Sequence, residues 1–276
     1  MPWIIIPVYS LRSKVLTNMR NMFEAARRNR LIFENPCDGI KAGGKKPAEK
    51  PALSPEQVAI LEDAVRNTRA EPFVLLGLYA GLRREEILGL KWDCVDLSAP
   101  TPTLTVRRVV RWEHSRPTVS ENLKSAAARR TIPLPHKLAV YLRSIQRLEG
   151  FVIGNGAPLS ETQYKNLWNI VRNRMTGEKT YRKSGVDHPE KTTISREIGA
   201  TARNSKVRYT IDFPVTPHIL RHTYITQLVL SGANIKRVQY LAGHSNPQIT
   251  LRIYTHLAQS NPQDLALDVN NAFPPR

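Results

Sequence analysis

Residues suited to a β-sheet are gathered into one interval of this chain, and that confinement limits its fold more than any other feature. Val, Thr and Ile crowd the runs "TLTVRRVVRW" and "RRTIPL", while the stretches on either side carry a helical period. Strands are expected around Trp92–Val95, Leu104–Trp112 and Arg129–Leu134. Ahead of them, "LSPEQVAILEDAV" opens a helix with Ser54 as N-cap, Pro55 at the first helical position and Gln57 completing a capping box. Further helices are expected from Pro72 to Ala80, stopped by Gly81, from Arg84 to Leu90, from Pro135 to Glu149, and from a Ser160/Gln163 cap to about Met175. Three more close the chain, Pro217–Leu230, Ile235–Ala242 and Pro247–Ala258, with Gly232 and Gly243 as stops. Helices at both ends with a small antiparallel sheet between them make the fold α+β, mainly α.

The first residues form a separate element. Tyr9–Arg30 reads as a helix with Leu11, Val15, Met19, Met22, Phe23 and Ala26 on one stripe, and the Gly-, Pro- and Lys-rich run Asn35–Pro51 reads as a basic linker. A chain of 276 residues suits one large domain or two unequal ones. The division expected here is a helical segment with linker over 1–46 and a main domain over 47–276. Within the latter, "FVIG" reads as an edge strand, and 176–213 as a polar inserted loop with short strands.

A formal net charge of +18 favours a polyanionic partner, because each Lys or Arg laid on a phosphate releases a condensed counterion. Nucleic acid comes first and an anionic membrane surface second. The apolar run "PWIIIPV" is too short to span a bilayer and lacks the small-residue cleavage site of a signal peptide. Cys37 and Cys94 have no Cys or His neighbour at metal-ligand spacing and read as free thiols of a reducing cytoplasm.

Four short motifs carry chemistry, each ordinary alone. "GLRREEILGL" sets Arg83 and Glu86 one helical turn apart, which by itself reads as a surface ion pair. "LKSAAARRTIPL" puts Lys124 in a turn feeding a strand, where a solvated lysine is equally at home. "TPHILRH" places His218 and Arg221 on one helix face. "LAGHSNPQITLRIYTHL" puts His244 at a helix corner and Tyr254 on the helix after it. No metal cluster, P-loop, G-x-G-x-x-G or G-x-S-x-G motif is found, so no metal or cofactor is expected. Taken together, arginines, a lysine and histidines are donors for phosphate oxygens, and a tyrosine hydroxyl can attack phosphorus. A cationic pocket would lower that hydroxyl's pKa from about 10 and stabilise the crowded charge of the transition state.

In this order and spacing the motifs resemble those of a tyrosine recombinase of the phage-integrase type, over roughly Leu53–Leu257. The resemblance implies a catalytic domain of helices around a small antiparallel sheet, and DNA cleavage through a 3′-phosphotyrosine without metal or ATP. It implies that Arg83, Arg221 and His244 hold the scissile phosphate, that Lys124 protonates the departing 5′ oxygen, that His218 acts as general base, and that Tyr254 is the nucleophile. Glu86 and His222 would support them, Glu86 by hydrogen-bonding a catalytic neighbour. Lys45, Lys46, Arg129, Arg130, Lys179, Arg182, Lys183, Lys206 and Arg208, with Arg203, are expected along the DNA backbone.

The implied partner is double-stranded DNA, with no membrane. The implied assembly is a monomer in solution that becomes a homotetramer on DNA by exchanging C-terminal tails, with room for an accessory bending or directionality factor. The implied setting is a phage or mobile element in a bacterial cytoplasm, associated with the nucleoid. The chain departs from the family in its N-terminal part. "NMFEAARRNRLIFENPCDGI" resembles only the last helix and exit of a core-binding domain, so the expectation is an N-terminally shortened integrase. Two competing readings are a DNA-binding remnant without productive recombination, favoured by the missing clamp, and a type IB topoisomerase-like enzyme with the same chemistry.

Overall fold

The computed structural model describes residues 9–43, 51–123, 125–154, 156–177, 179–182, 191–202 and 207–258. The chain divides into two compact units, Met1–Lys50 and Pro51–Arg276. In the first, helix α1 (Tyr9–Arg28) ends where Arg30 turns left-handed at φ 58°. Its return segment is tied to the helix by Arg20, which donates to the Cys37 carbonyl at 3.2 Å and to that of Ile40. The expected stripe is present, but Leu11, Val15, Met19 and Met22 are exposed along it.

In the second unit, α2 (Pro55–Val65) begins with the expected capping box: Ser54 Oγ accepts from the Gln57 amide at 3.2 Å and Gln57 Oε1 from the Ser54 amide at 3.0 Å. Helix α3 (Glu71–Ala80) is apolar on nearly every side and is buried accordingly, as the central helix of the unit. It lies so close to α7 (Pro217–Leu230) that a Cβ on Gly77 would come within 2.9 Å of Leu220. Gly81 ends α3 at φ 60°, and no side chain fits there, since a Cβ would sit 2.1 Å from the Tyr224 ring. Helix α4 (Arg84–Gly89) follows at once.

The sheet differs from the expected three strands. Trp92–Cys94 is a 3₁₀ turn, leaving β1 as Val95–Asp96, which pairs antiparallel with β2 (Thr103–Val106). The run expected to extend unbroken to Trp112 stops at Arg107 and resumes as β3 (Val109–Glu113), paired with β4 (Arg116–Ser120) in a separate hairpin. The break has a tertiary cause. Arg108 turns to Asp93 at 2.9 Å and Glu121 at 3.0 Å, and its carbonyl lies against Gly89, where a Cβ would be 2.7 Å away. Strand β4 went unread because Pro117 interrupts it, and a proline is tolerated only where no ladder donor is needed. Strand β5 (Arg130–Pro133) completes the order β1-β2-β5, setting Leu104 opposite Ile132 and Val106 opposite Arg130. "FVIG" contributes only a single bridge, Phe151 to Lys91, not an edge strand.

Helix α5 (His136–Ile145) packs on α3, and α6 (Glu161–Arg172, with its Ser160/Gln163 box) packs on α2. The core runs through Phe73, Leu76, Leu104, Ile132, Leu138 and Leu142, with the Tyr164 ring tilted against Phe73 and the Trp168 ring edge-on to it, each at 5.7 Å. The insertion contains the short pair β6 (Lys179–Arg182) and β7 (Lys191–Ile194), and it returns to the core at Tyr209, Ile211 and Phe213. Three helices end the described chain: α7, capped by Thr216 at 3.2 Å, α8 (Ile235–Ala242) and α9 (Pro247–Ala258). A smaller apolar cluster of Ile225, Val238 and Ala242 joins them, with Tyr224, Ile253 and Tyr254 packed against it.

Candidate active site

The last turn of α8 organises the site. A helix C-terminus leaves its final carbonyls without intrahelical donors and carries partial negative charge. Three successive carbonyls here each accept from a different arginine. Arg130 of β5 donates to Leu241 at 2.8 Å, Arg221 of α7 to Ala242, and Arg83, the N-cap of α4, to Gly243 at 2.8 Å. Arg221 also holds the Gly81 carbonyl at 2.6 Å, joining the end of α3 to the end of α8. Gly243 itself is left-handed at φ 60°, and a Cβ there would meet the Arg130 guanidinium at 2.8 Å.

One carboxylate binds the arginines from the other side. Glu86 accepts from Arg83 at 2.7 Å and from Arg130 at 3.1 and 2.9 Å, and lies 4.0 Å from Arg221. It also accepts the Arg83 backbone amide at 2.9 Å. At 3% exposure it is no surface ion pair. Burial alone would push the Glu86 carboxyl up, but Arg130 above all, then Arg221 and Arg83, bring it down to about 2. Three guanidiniums against one carboxylate leave the cluster positive.

His244 follows directly on these carbonyls. Its Nδ1 is 2.9 Å from Thr250 Oγ1, a contact that joins the corner to the first turns of α9. Burial, then the charges of Arg221, Arg83 and Arg130, lower its imidazole to about 4, so it is neutral at neutral pH. Burial also lowers Arg221, with Arg83 adding and Glu86 opposing, to about 9, and it stays charged. A cleft of about 470 Å³ opens beside the cluster, lined by Arg83, Arg111, Leu123, Ser125, Gly243 and Ser245 among others. Such a site can take up an oxyanion on fixed donors at little reorganisation cost.

Arg83 and Glu86, Arg221, and His244 thus come together from three separate stretches of the chain, with Arg130 joining them from a fourth. His218 is exposed at the start of α7 and His222 is half-buried one turn later. Tyr254 is half-buried on α9, and its hydroxyl donates to the Ala233 carbonyl at the α7–α8 corner. The expected lowering of its pKa is not what this arrangement produces: burial in the small apolar cluster raises it. Lys124 lies outside the described residues, but its neighbours Leu123 and Ser125 line the cleft.

Of the residues expected along DNA, Arg129 and Arg208 are exposed. Lys45, Lys46, Lys183, Arg203 and Lys206 lie outside the described residues, as do the side chains of Lys179 and Arg182. Arg130 requires correction. Its side chain is fully buried on Glu86 and Leu241, not turned to solvent. The signal was present in the strand period, which sets Arg130 on the same inward face as Ile132. The carbonyl row at 241–243 leaves no mark on residue type because its acceptors are backbone, and Thr250 reads as an ordinary helix threonine until its side chain is seen on His244.

A profile of the phage integrase family matches residues 52–261. The chain is 28% identical over 282 residues to a XerC-like tyrosine recombinase of Caldanaerobacter subterraneus subsp. tengcongensis, a match that takes in 94% of this chain and 66% of that protein. It is 28% identical over 275 residues to the tyrosine recombinase XerD of Pseudomonas putida, covering 95% of this chain and 77% of that one. In structure it is similar to the Tn1549 transposon integrase in complex with circular intermediate DNA, with a TM-score of 0.69 at 18% identity over 96% of this chain and 81% of that one. At such identity the structural likeness shows the fold alone. With most of its length matched by the family profile, the chain belongs to the phage integrase family of tyrosine recombinases.

Proposed function

We propose that this chain cleaves and rejoins double-stranded DNA at a specific site, for a phage or other mobile element, through Tyr254. The observation that carries this reading is the positive row of arginines fixed between Glu86 and the end of α8, of which Arg83 lines a cleft beside the His244 corner. In the proposed reaction the scissile phosphate enters that cleft. Arg83 and Arg221 hold its non-bridging oxygens, and His244 donates to one of them. The Tyr254 oxygen attacks phosphorus, giving up its proton toward His218. The bond from phosphorus to the 5′ oxygen breaks, and Lys124 supplies the proton that oxygen takes. A 3′-phosphotyrosine remains, and attack by a 5′ hydroxyl reverses the step, so the bond energy is conserved. The guanidiniums carry the charge that builds on the phosphoryl oxygens.

Tyr254 first has to leave the Ala233 carbonyl, so the arrangement described corresponds to a resting state in this scheme. We take DNA to be bound by several copies, a tetramer on DNA formed from monomers, with α9 and the C-terminal residues beyond it as the exchanged part. The test is a pool of nicked duplexes of randomised sequence, in which cleavage beside the nick releases a short fragment and traps protein on DNA. Recovery of covalent adducts enriched in one sequence supports the reading. Relaxation of a supercoiled plasmid with no enriched sequence would redirect it to a topoisomerase-like activity.

A further inference from the structure

We propose that Arg130 is a positioning residue for strand cleavage: it sets Arg83 and the His244 corner in place by holding Glu86 and the end of α8 on one guanidinium. The inference rests on the function proposed above. Arg130 spends its donor groups on partners that belong to the site or its approach. Its Nε reaches the Leu241 carbonyl at 2.8 Å, one terminal nitrogen reaches Glu86 at 3.1 Å and Ala128 at 3.0 Å, and the other reaches Glu86 at 2.9 Å. Glu86 and Gly243 are in turn the two groups that fix Arg83, at 2.7 and 2.8 Å. A closed circuit results: Arg130 to Glu86, Glu86 to Arg83, Arg83 to Gly243, and back along the α8 backbone to Leu241 and Arg130.

The circuit explains several features that packing alone does not. A core position opposite Val106, with Ile132 beside it, is an expensive place for a charge. An apolar residue would fill the sheet as well, but it would leave the Leu241 carbonyl without its donor and Glu86 with Arg83 alone. Gly243 must lack a side chain for the guanidinium to reach past it, since a Cβ would be 2.8 Å from the terminal nitrogen and 3.0 Å from the guanidinium carbon. Strand β5 also begins six residues after Lys124 in the sequence, so one anchor ties the stretch that follows the proposed acid to the stretch bearing His244. The fork geometry matters, because an ammonium cannot hold a carboxylate with two parallel bonds and reach a carbonyl as well.

Arg130→Lys keeps the charge and loses the fork. We expect it to melt cooperatively and to bind duplex DNA within about threefold of the parent chain, yet to cleave a nicked duplex about 10²-fold more slowly in single turnover, the scale for displacing positioned groups by about 1 Å. A sulfur in place of the 5′ oxygen should not restore the rate, since the leaving group is not what is disturbed. Folded Arg130→Lys cleaving at the parent rate would overturn the proposal and leave Arg130 a structural residue. Should Arg130→Lys fail to fold, Gly243→Ala takes its place, pressing on the same guanidinium from the cleft side. Slow cleavage with unchanged DNA affinity supports the circuit, and parent-like cleavage overturns it. Absence of any adduct with the parent chain would instead sink the function proposed above.

Discussion

Glu86→Gln separates the two contributions a buried carboxylate makes here, to stability and to geometry. Because the folded chain holds the Glu86 carboxyl at about 2 against an ordinary 4.5, the folded state binds fewer protons there than the unfolded chain. Its stabilisation is therefore complete above about pH 4.5 and fades as the pH falls toward 2. His244, held near 4 against an ordinary 6.5, acts in the same sense one window higher, between pH 6.5 and 4. Melting midpoints should fall in both windows on acidification, and Glu86→Gln should flatten the lower one. At neutral pH that substitution should cost about 3–5 kcal/mol, since it strips a buried cluster of its only carboxylate among the described residues. NMR titration of the His244 ring should place its midpoint near 4 in the free chain and move it upward when an oxyanion fills the cleft; a free-chain midpoint near 6.5 would contradict the electrostatics described. At this scale Arg83, Glu86, Arg221 and His244 were legible from residue type and spacing. Arg130 was not, because two adjacent arginines look like a basic patch unless the strand period is followed inward to Ile132.

Among the elements, the legible parts are those whose cause is local. The boxes at Ser54 and Ser160, the stops at Gly81 and Gly243 and the three closing helices follow from side chains within a few residues of one another. The split between β2 and β3 escapes such reading, because Arg108 is drawn off by Asp93 and Glu121 and by contact with Gly89. Two elements carry predictions. Helix α9 is held at one end by the Thr250–His244 contact and further along by the Tyr254 hydroxyl on Ala233. Tyr254→Phe removes the second tie, worth about 0.5–1.5 kcal/mol, so amide exchange within α9 should quicken by up to roughly tenfold while α7 is unaffected. Unchanged exchange would mean that the hydroxyl does not hold α9. For the turn before β5, Lys124→Ala should slow cleavage by about 10²- to 10⁴-fold on an ordinary duplex and far less on one with sulfur at the 5′ position. Equal defects on both would make Lys124 a phosphate binder in place of the proposed acid.

For the whole molecule, a charge of +18 and a site open to a cleft set separate expectations. The charge should make DNA binding steeply salt-dependent whatever the sequence, with log K falling linearly in log salt. A flat dependence would leave the charge without the use assigned to it. The site makes the narrower demand, that one tyrosine carry the DNA. The most direct measurement is to digest the trapped protein–DNA adduct and identify by mass spectrometry the residue bearing the 3′-phosphate. The phosphate is expected on Tyr254, with no adduct from a Tyr254→Phe chain that binds DNA normally. A phosphate on Tyr224 or Tyr240, or an adduct that persists in Tyr254→Phe, would contradict the proposed chemistry.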